Sequence, residues 1–528
     1  MMVPIRLLAM LPASEDSVFL RDFTYVSTAD PWLTSENAAA LSRFTSRNIS
    51  NAQVCLEYGD GGFVDYYQSH RTFSVSMSVE SFYRLNRKTV VYGSMSYDNF
   101  SGKDMAGSVF IDPSHKPFDI VEDSLTNMGT KHLDTYKLTG GMGIDIYHGI
   151  SLGARIDYTT ANYAKYKDLR HKNSMMDFIM TTGLYLPITK YVFIGMYYKY
   201  RRNTESLDFS TYGKTEKKYM SLICYGSFTG QLEQFGATGY TGSNYEMPLL
   251  DEYHGGGIQT EWKIAAHLSW YNSFSMSERN GYYGRKSAYT ITYSKHDSRL
   301  YDYQSRFTLT YPQSQHQLEL SIKSENLENK ENSYSEIINS SGATTYQYYE
   351  ALKRANRLWT DAIIAYTAYV GIVNEMPVWT VSTVTNMSRR RQTAYLYPYY
   401  RRQNLYNQEY SMDISHNMIA SRGILSLSVG GSYKNGSGEP YEDGTYTSPS
   451  DKQSAPPSMD TYLYREYEYL TASQYSLRAA VGYTFHIPHT SMDTYLKCNV
   501  IYRKANSTNE YLLGREHTVL RMTLGCVF

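Results

Sequence analysis

At 528 residues the chain is long enough for three or four soluble domains or for one large barrel. Fifty-five tyrosines against 18 phenylalanines and 5 tryptophans suit a pair of aromatic girdles, where a phenol keeps its ring in hydrocarbon and its hydroxyl among headgroups. A mean hydropathy of −0.49 and no run of 18 apolar residues exclude a helical membrane protein, and 51 basic residues balanced by 51 acidic ones leave nothing for bulk nucleic-acid binding.

Met1 to Ser14 reads as a short apolar stretch interrupted by Arg6, and residues 1–14 are expected to be a signal peptide or its remnant. Residues 15–50 follow as a plug-like segment. Within it Asp30-Pro31-Trp32 is a turn, Thr34 or Ser35 can cap a short helix, and Leu41 and Phe44 share one of its faces. A short helix ahead of a barrel sits in the lumen or under it.

From about residue 51 strict alternation takes over. Phe73, Val75, Met77 and Val79 alternate with Ser74, Ser76, Ser78 and Glu80. Ile150 to Tyr158, Val192 to Tyr200, Leu318 to Ile322 and Leu425 to Tyr433 repeat the rule. The longest case runs from Tyr475 to Ile487, with seven apolar positions on one side. Soluble strands usually stop at about five or six residues, whereas a tilted membrane strand needs about nine to eleven.

Short turns at 86–88, 148–149, 187–190, 312–314, 374–377, 419–423 and 488–490 alternate with long polar segments at 101–130, 324–354 and 435–465. That parity predicts an all-β transmembrane antiparallel barrel over 51–528, of about 18 strands, with 14 and 16 also compatible. Residues 228–257 resist the pattern. Parity makes them a periplasmic turn, their length argues against one, and an inward fold into the lumen would reconcile the two.

The chain ends on V-L-R-M-T-L-G-C-V-F, with Leu520, Met522, Leu524, Cys526 and Phe528 on one side of a strand. This closing strand resembles that of bacterial outer-membrane barrels, whose terminal aromatic is a signal to the barrel assembly machinery; Phe528 stands in that place. Together the export-like start, short helix and terminal strand resemble the large Tyr-rich outer-membrane barrels of Bacteroidota that carry no assigned function. The resemblance implies an accessory to a nutrient uptake system, iron-linked uptake among the candidates. Asn37-Ala38-Ala39-Ala40-Leu41 also resembles the N-terminal hatch of long-chain fatty-acid transporter barrels, without its proline.

The inward phase predicts lumenal charges of both signs: Glu80, Arg155, Asp157, Lys199, Arg201, Arg306, Glu319, Lys323, Asp413, Lys434, Arg478, Lys497 and Arg521. They would either line a pore or pair into a salt-bridged interior, because buried charges must be neutralised. Five arginines and four tyrosines fall within 14 residues. Of these Arg389, Arg390, Arg391, Tyr397, Tyr399, Tyr400, Arg401 and Arg402 form a rim cluster suited to an anionic or aromatic ligand or to lipopolysaccharide phosphates. Cys55, Cys224, Cys498 and Cys526 are dispersed, so neither a metal site, a redox motif nor a cofactor is expected. His267, His296, His316, His416, His486 and His517 lie on or near strands, yet neither H-E-x-x-H nor G-x-S-x-G occurs. The expected function is therefore handling or passing a small solute, without catalysis. A barrel scaffold docking surface lipoproteins or an uptake receptor, and a barrel hydrolase, are the alternatives. Lipid, lipopolysaccharide and the assembly machinery are the expected partners, and nucleic acid is not.

Overall fold

The structure is a computed structural model that describes residues 20–122, 128–212, 217–236, 239–242, 246–338, 340, 342–420, 423–487, 490, 492–507 and 510–528. The expected signal peptide lies outside these residues, as do parts of the turns at 419–423 and 488–490.

Eighteen strands form one closed antiparallel barrel. In chain order they are β1 (Ile49–Asp60), β2 (Arg71–Arg84), β3 (Thr89–Met105), β4 (Gly129–Tyr147), β5 (Ile150–Lys165) and β6 (Arg170–Pro187). Next come β7 (Val192–Ser210), β8 (Met247–Ala265), β9 (Leu268–Ser287), β10 (Thr290–Tyr311), β11 (Ser314–Glu331) and β12 (Leu352–Val370). The ring is completed by β13 (Trp379–Leu396), β14 (Tyr399–Ala420), β15 (Gly423–Thr445), β16 (Ser473–His486), β17 (Asp493–Asn506) and β18 (Glu516–Val527). Each strand pairs with the next. β18 closes on β1, from Asn51 opposite Val527 to Asp60 opposite Thr518. Ser50 and Phe528 exchange two backbone hydrogen bonds at 2.7 and 2.9 Å, the last rungs of that seam. Closure leaves the barrel without a free edge, which is what lets strands stand in hydrocarbon.

Alternation sorts the faces. Leu477, Val481, Met522 and Leu524 stand on the outer surface, each 46 to 60% exposed, and form part of an apolar belt that only lipid can cover. The barrel spans the bacterial outer membrane, with the short turns at its periplasmic end.

The plug-like segment occupies the lumen at that end. Asp22 caps α1 (Phe23–Thr28), its side chain accepting from the backbone N–H groups of Thr24 and Tyr25 at 2.8 and 3.2 Å. A 3-10 helix follows at Ala38–Arg43, capped by Asn37. The cap thus falls two or three residues beyond Thr34 and Ser35, whose hydroxyls instead donate back to the carbonyls of Pro31 and Trp32. The 3-10 helix lies against glycines of the wall. A Cβ on Gly143 would sit 2.8 Å from the Ala38 carbonyl oxygen, and one on Gly153 would sit 2.6 Å from the Ala39 Cα. Only a wall without side chains admits this helix so closely.

The extracellular end is covered by inward-folded loops. A three-stranded sheet of Asp119–Glu122, Met220–Gly226 and Thr229–Gln234 packs Ile120, Ile223 and Tyr225 against Leu249, Tyr283 and Ala394 of the barrel wall. α2 (Asp460–Thr471) buries Tyr462 and Leu463 against Tyr66, Leu222 and Phe228. This corrects the parity reading of 228–257. Residues 247–265 are β8, with Gly255 to Gly257 inside it. The remainder belongs to an outer loop whose hairpin turns into the lumen, and the periplasmic turn is at 266–267. The long polar segments are also shorter than expected, because β3, β11 and β15 continue past the membrane as paired polar strands.

Candidate functional site

Between plug and cap the lumen divides into two chambers. The larger, about 1080 Å³, runs from Leu20 and α1 along the wall of β1, β2 and β14–β18. Its lining is mostly small and polar: Ser74, Ser76, Ser415, Ser426, Ser428, Thr484 and Thr523, with Asn51, Gln53 and Asn499. Small inward side chains leave room for water, whereas the opposite wall is filled by the plug. Tyr495 donates to Asn51 and Gln53, each at 2.9 Å. Lys497 lines this chamber, as do Glu80, which accepts from the Tyr92 hydroxyl at 2.7 Å, and Arg521, which is ion-paired with Glu57.

The second chamber, about 540 Å³, lies on the other side between the 3-10 helix and the cap. Arg279 organises it. Its guanidinium donates to both oxygens of Asp251, at 2.8 and 3.2 Å, and to Glu325 Oε1 at 2.9 Å. His296 Nε2 meets Asp251 at 2.5 Å, and Ser298 donates to Glu325 at 2.8 Å. From the inserted loop His115 approaches Glu325 at 3.1 Å and stacks on Trp359. A fork-to-carboxylate pair removed from water needs every donor matched, and this one bridges four strands to the cap. Lys116 pairs with Glu205 at 2.7 Å in the same region.

The inward charges predicted from alternation are mostly paired. Arg155 meets Asp157 at 2.8 Å, Lys199 meets Glu36 at 2.5 Å and Arg201 meets Asp177 at 2.8 Å. Arg306 meets Glu319 at 2.7 Å, Lys323 meets Asp302 at 3.5 Å and Arg478 meets Asp413 at 2.8 Å. Lys434 lies over the Tyr469 ring at 5.7 Å. Glu36, Glu57, Asp177, Asp302, Asp251 and Arg279 were absent from the sequence reading. The five on strands carry the same inward-phase signal as the residues named, and Glu57, Asp177 and Asp302 each answer one of them across a strand boundary. Glu36 and His115 have no periodic signal, since plug and loop reach the site through tertiary folding.

The rim cluster is split by the same rule. Arg390 and Arg401 point inward, to Glu466 at 2.6 Å and Asp443 at 2.7 Å. Arg389, Arg391 and Arg402 point outward. Tyr397 is exposed at the β13–β14 turn, Tyr399 donates to the Gln453 carbonyl at 2.8 Å, and Tyr400 packs on Tyr446.

A small cavity of about 240 Å³ lies within the cap among Asp65, Arg357, Arg390 and Glu466. Burial, reinforced by the Glu466 charge, pushes the Asp65 carboxyl up to about 7. Burial likewise pushes the Cys224 thiol up to about 11. Among the described residues no group of three His, Cys, Asp or Glu is placed to hold a metal ion.

The model of a protein family described as a family of unknown function (DUF6850) matches residues 38–528. The chain belongs to that family. None of the curated proteins compared with it matches. Among solved structures the chain is similar to the ferric preacinetobactin receptor BauA of Acinetobacter baumannii, at 8% identity and a TM-score of 0.40, covering 92% of this chain and 80% of that one. A variant of the ferric enterobactin receptor PfeA of Pseudomonas aeruginosa gives 9% identity, coverage of 93% and 84%, and a TM-score of 0.40. The outer membrane transporter YddB of Escherichia coli gives 6%, 92% and 81%, and 0.38.

Proposed function

We propose that this barrel handles a small polar solute and passes it across the outer membrane through the serine-rich chamber beside the plug. The observation that carries the reading is the chamber itself. A cavity of about 1080 Å³ extends from the plug helix α1 to the Glu57–Arg521 pair, with a wall able to exchange hydrogen bonds at many points along its length. The cap makes passage conditional on movement of the loops. Ordered access of this kind suits an accessory of a nutrient uptake system, iron-linked uptake among the candidates, as the resemblance to Bacteroidota barrels implies. Catalysis is not part of the proposal, since the buried His296–Asp251 pair is fixed by Arg279 rather than aimed at a nucleophile. Planar-bilayer recordings and liposome flux of small sugars and amino acids test the reading. Arg521→Gln is expected to alter the ion preference of any conductance. Absence of both conductance and flux, in the natural protein and in a variant with a displaced plug, would overturn it.

A second reading, a scaffold docking surface lipoproteins, draws on the projecting hairpin Tyr334–Ile338 with Thr344–Tyr348, where Ile338 is 71% exposed. Crosslinks from Ile338 to a surface lipoprotein, together with no flux, would favour it.

A further inference from the structure

We propose that the outer surface of β11–β15 carries a binding site for the phosphorylated sugar headgroup of an outer-leaflet glycolipid, with Arg389, Arg391 and Arg402 as its cations. Height in the membrane is the first argument. Trp379 stacks on His416 at the periplasmic end of β13 and faces outward. Arg389 lies ten residues along the same strand and the same face. At a rise of about 3.4 Å per residue and a tilt of about 40°, that separation is about 26 Å, which matches an apolar band of about 25 Å. Arg389 therefore sits at the outer boundary of the hydrocarbon, beside Tyr406, and Arg391 lies about 5 Å beyond it in the headgroup layer.

Charge is the second argument. The inward neighbours Arg390 and Arg401 are matched by Glu466 and Asp443. Among the described residues no carboxylate lies within 4 Å of the guanidinium of Arg389, Arg391 or Arg402. Arg389 donates to Asn404 at 3.1 Å, and Arg402 lies over the Tyr400 ring at 4.3 Å. Three outward guanidiniums without carboxylate partners at headgroup height offer paired donors to phosphate oxygens.

Shape and lining are the third. A register shift between Arg402 and Asn404 opens a groove of about 810 Å³ that holds Arg391 and Arg402 with Asn326, Asn356 and Asn404, and Leu358 on its floor. Glu439 and Glu442 share this groove. Carboxylates would repel a bare anion but accept from sugar hydroxyls, so the lining suits a phosphorylated sugar better than inorganic phosphate. Tyr406, opposite Arg389 at the hydrocarbon boundary, can receive the first methylenes of the acyl chains.

The test is lipid binding by the full-length barrel in detergent, followed by native mass spectrometry and thermal shift. Bisphosphorylated lipid A, dephosphorylated lipid A and inorganic phosphate are the probes. Expected is saturable stabilisation by the phosphorylated lipid alone, weakening with salt. The variant Arg389→Gln/Arg391→Gln/Arg402→Gln should lose affinity by about tenfold or more, since charge-assisted bonds are the stronger class. Equal binding of the dephosphorylated lipid would overturn the proposal, as would equal binding by a variant that keeps its heat-modifiable fold. Full competition by inorganic phosphate at matching concentration would also overturn it. Should the triple variant fail to fold, Arg391→Gln decides. Its side chain points away from the barrel, and an unchanged lipid affinity in that single variant would equally overturn the site.

Discussion

Replacing Gly153 by valine tests whether the N-terminal segment is seated by the shape of the wall. A Cβ at Gly153 would lie 2.6 Å from the Ala39 Cα. The obstacle is backbone, which cannot rotate aside as a side chain would. Overpacking of this kind costs about 1 to 3 kcal/mol, which lowers the docking constant of the segment about 5- to 150-fold. The remaining fastenings would be strained together, because one short segment carries them all. They include Trp32 donating to Glu261 at 2.8 Å, Asn37 donating to the Leu184 carbonyl at 3.0 Å, and Arg43 paired with the same Glu261 at 3.2 Å. Trypsin gives the readout, since cleavage after Arg43 requires that Arg43 and the neighbouring Phe44, 1% exposed, leave the wall. Cleavage at that bond should accelerate in Gly153→Val, and the larger chamber should conduct more. Gly140→Val is the control, because a Cβ there meets nothing within 4 Å. If Gly153→Val is cleaved no faster than the control and melts at the same temperature, the wall does not determine the seating of the plug.

Further outcomes are expected elsewhere. Val481, 46% exposed on the lipid face, should cost about 2 to 4 kcal/mol when changed to arginine, read as the shift of the folding midpoint in lipid. Deleting Phe528 removes both of its hydrogen bonds to Ser50 at the β1–β18 seam and should lower the yield of heat-modifiable barrel; undiminished yield would show that the seam closes without them. Asp65 gives a pH dependence of definite sign. Its folded carboxyl is raised, chiefly by burial and then by Glu466, so its contribution is fully present below about pH 4 and is lost as pH rises through about 7. Protection factors in residues 61–70 and α2, taken against the base-catalysed intrinsic exchange rate at each pH, should therefore be higher at pH 5 than at pH 8, and Asp65→Asn should flatten the difference.

Alternation was legible along the chain because a barrel strand meets lipid on one side and the lumen on the other, and each side chain must suit one of them. Residues Tyr475 to Phe485 carry that rule without any partner strand. The helix at Ala38–Arg43 was legible in place, though its cap was not, since Thr34, Ser35 and Asn37 are all competent and only the backbone around them decides. Residues 228–257 misled because a hairpin folded into the lumen and a glycine-bearing strand both suppress alternation.

The sequence by itself determined the membrane, the barrel and the inward or outward phase of the alternating strands, whereas the rim arginines read as one cluster until the structure turned Arg390 and Arg401 inward. Tertiary structure alone decided which inward charges meet. Lys199 finds Glu36 on the plug, 163 positions away, and Arg279 finds Asp251, Glu325 and the loop bearing His115. Phase is a local property, fixed by which solvent each side chain faces. Pairing depends on register, closure and inserted loops, which bring together residues that carry no mark of one another along the chain.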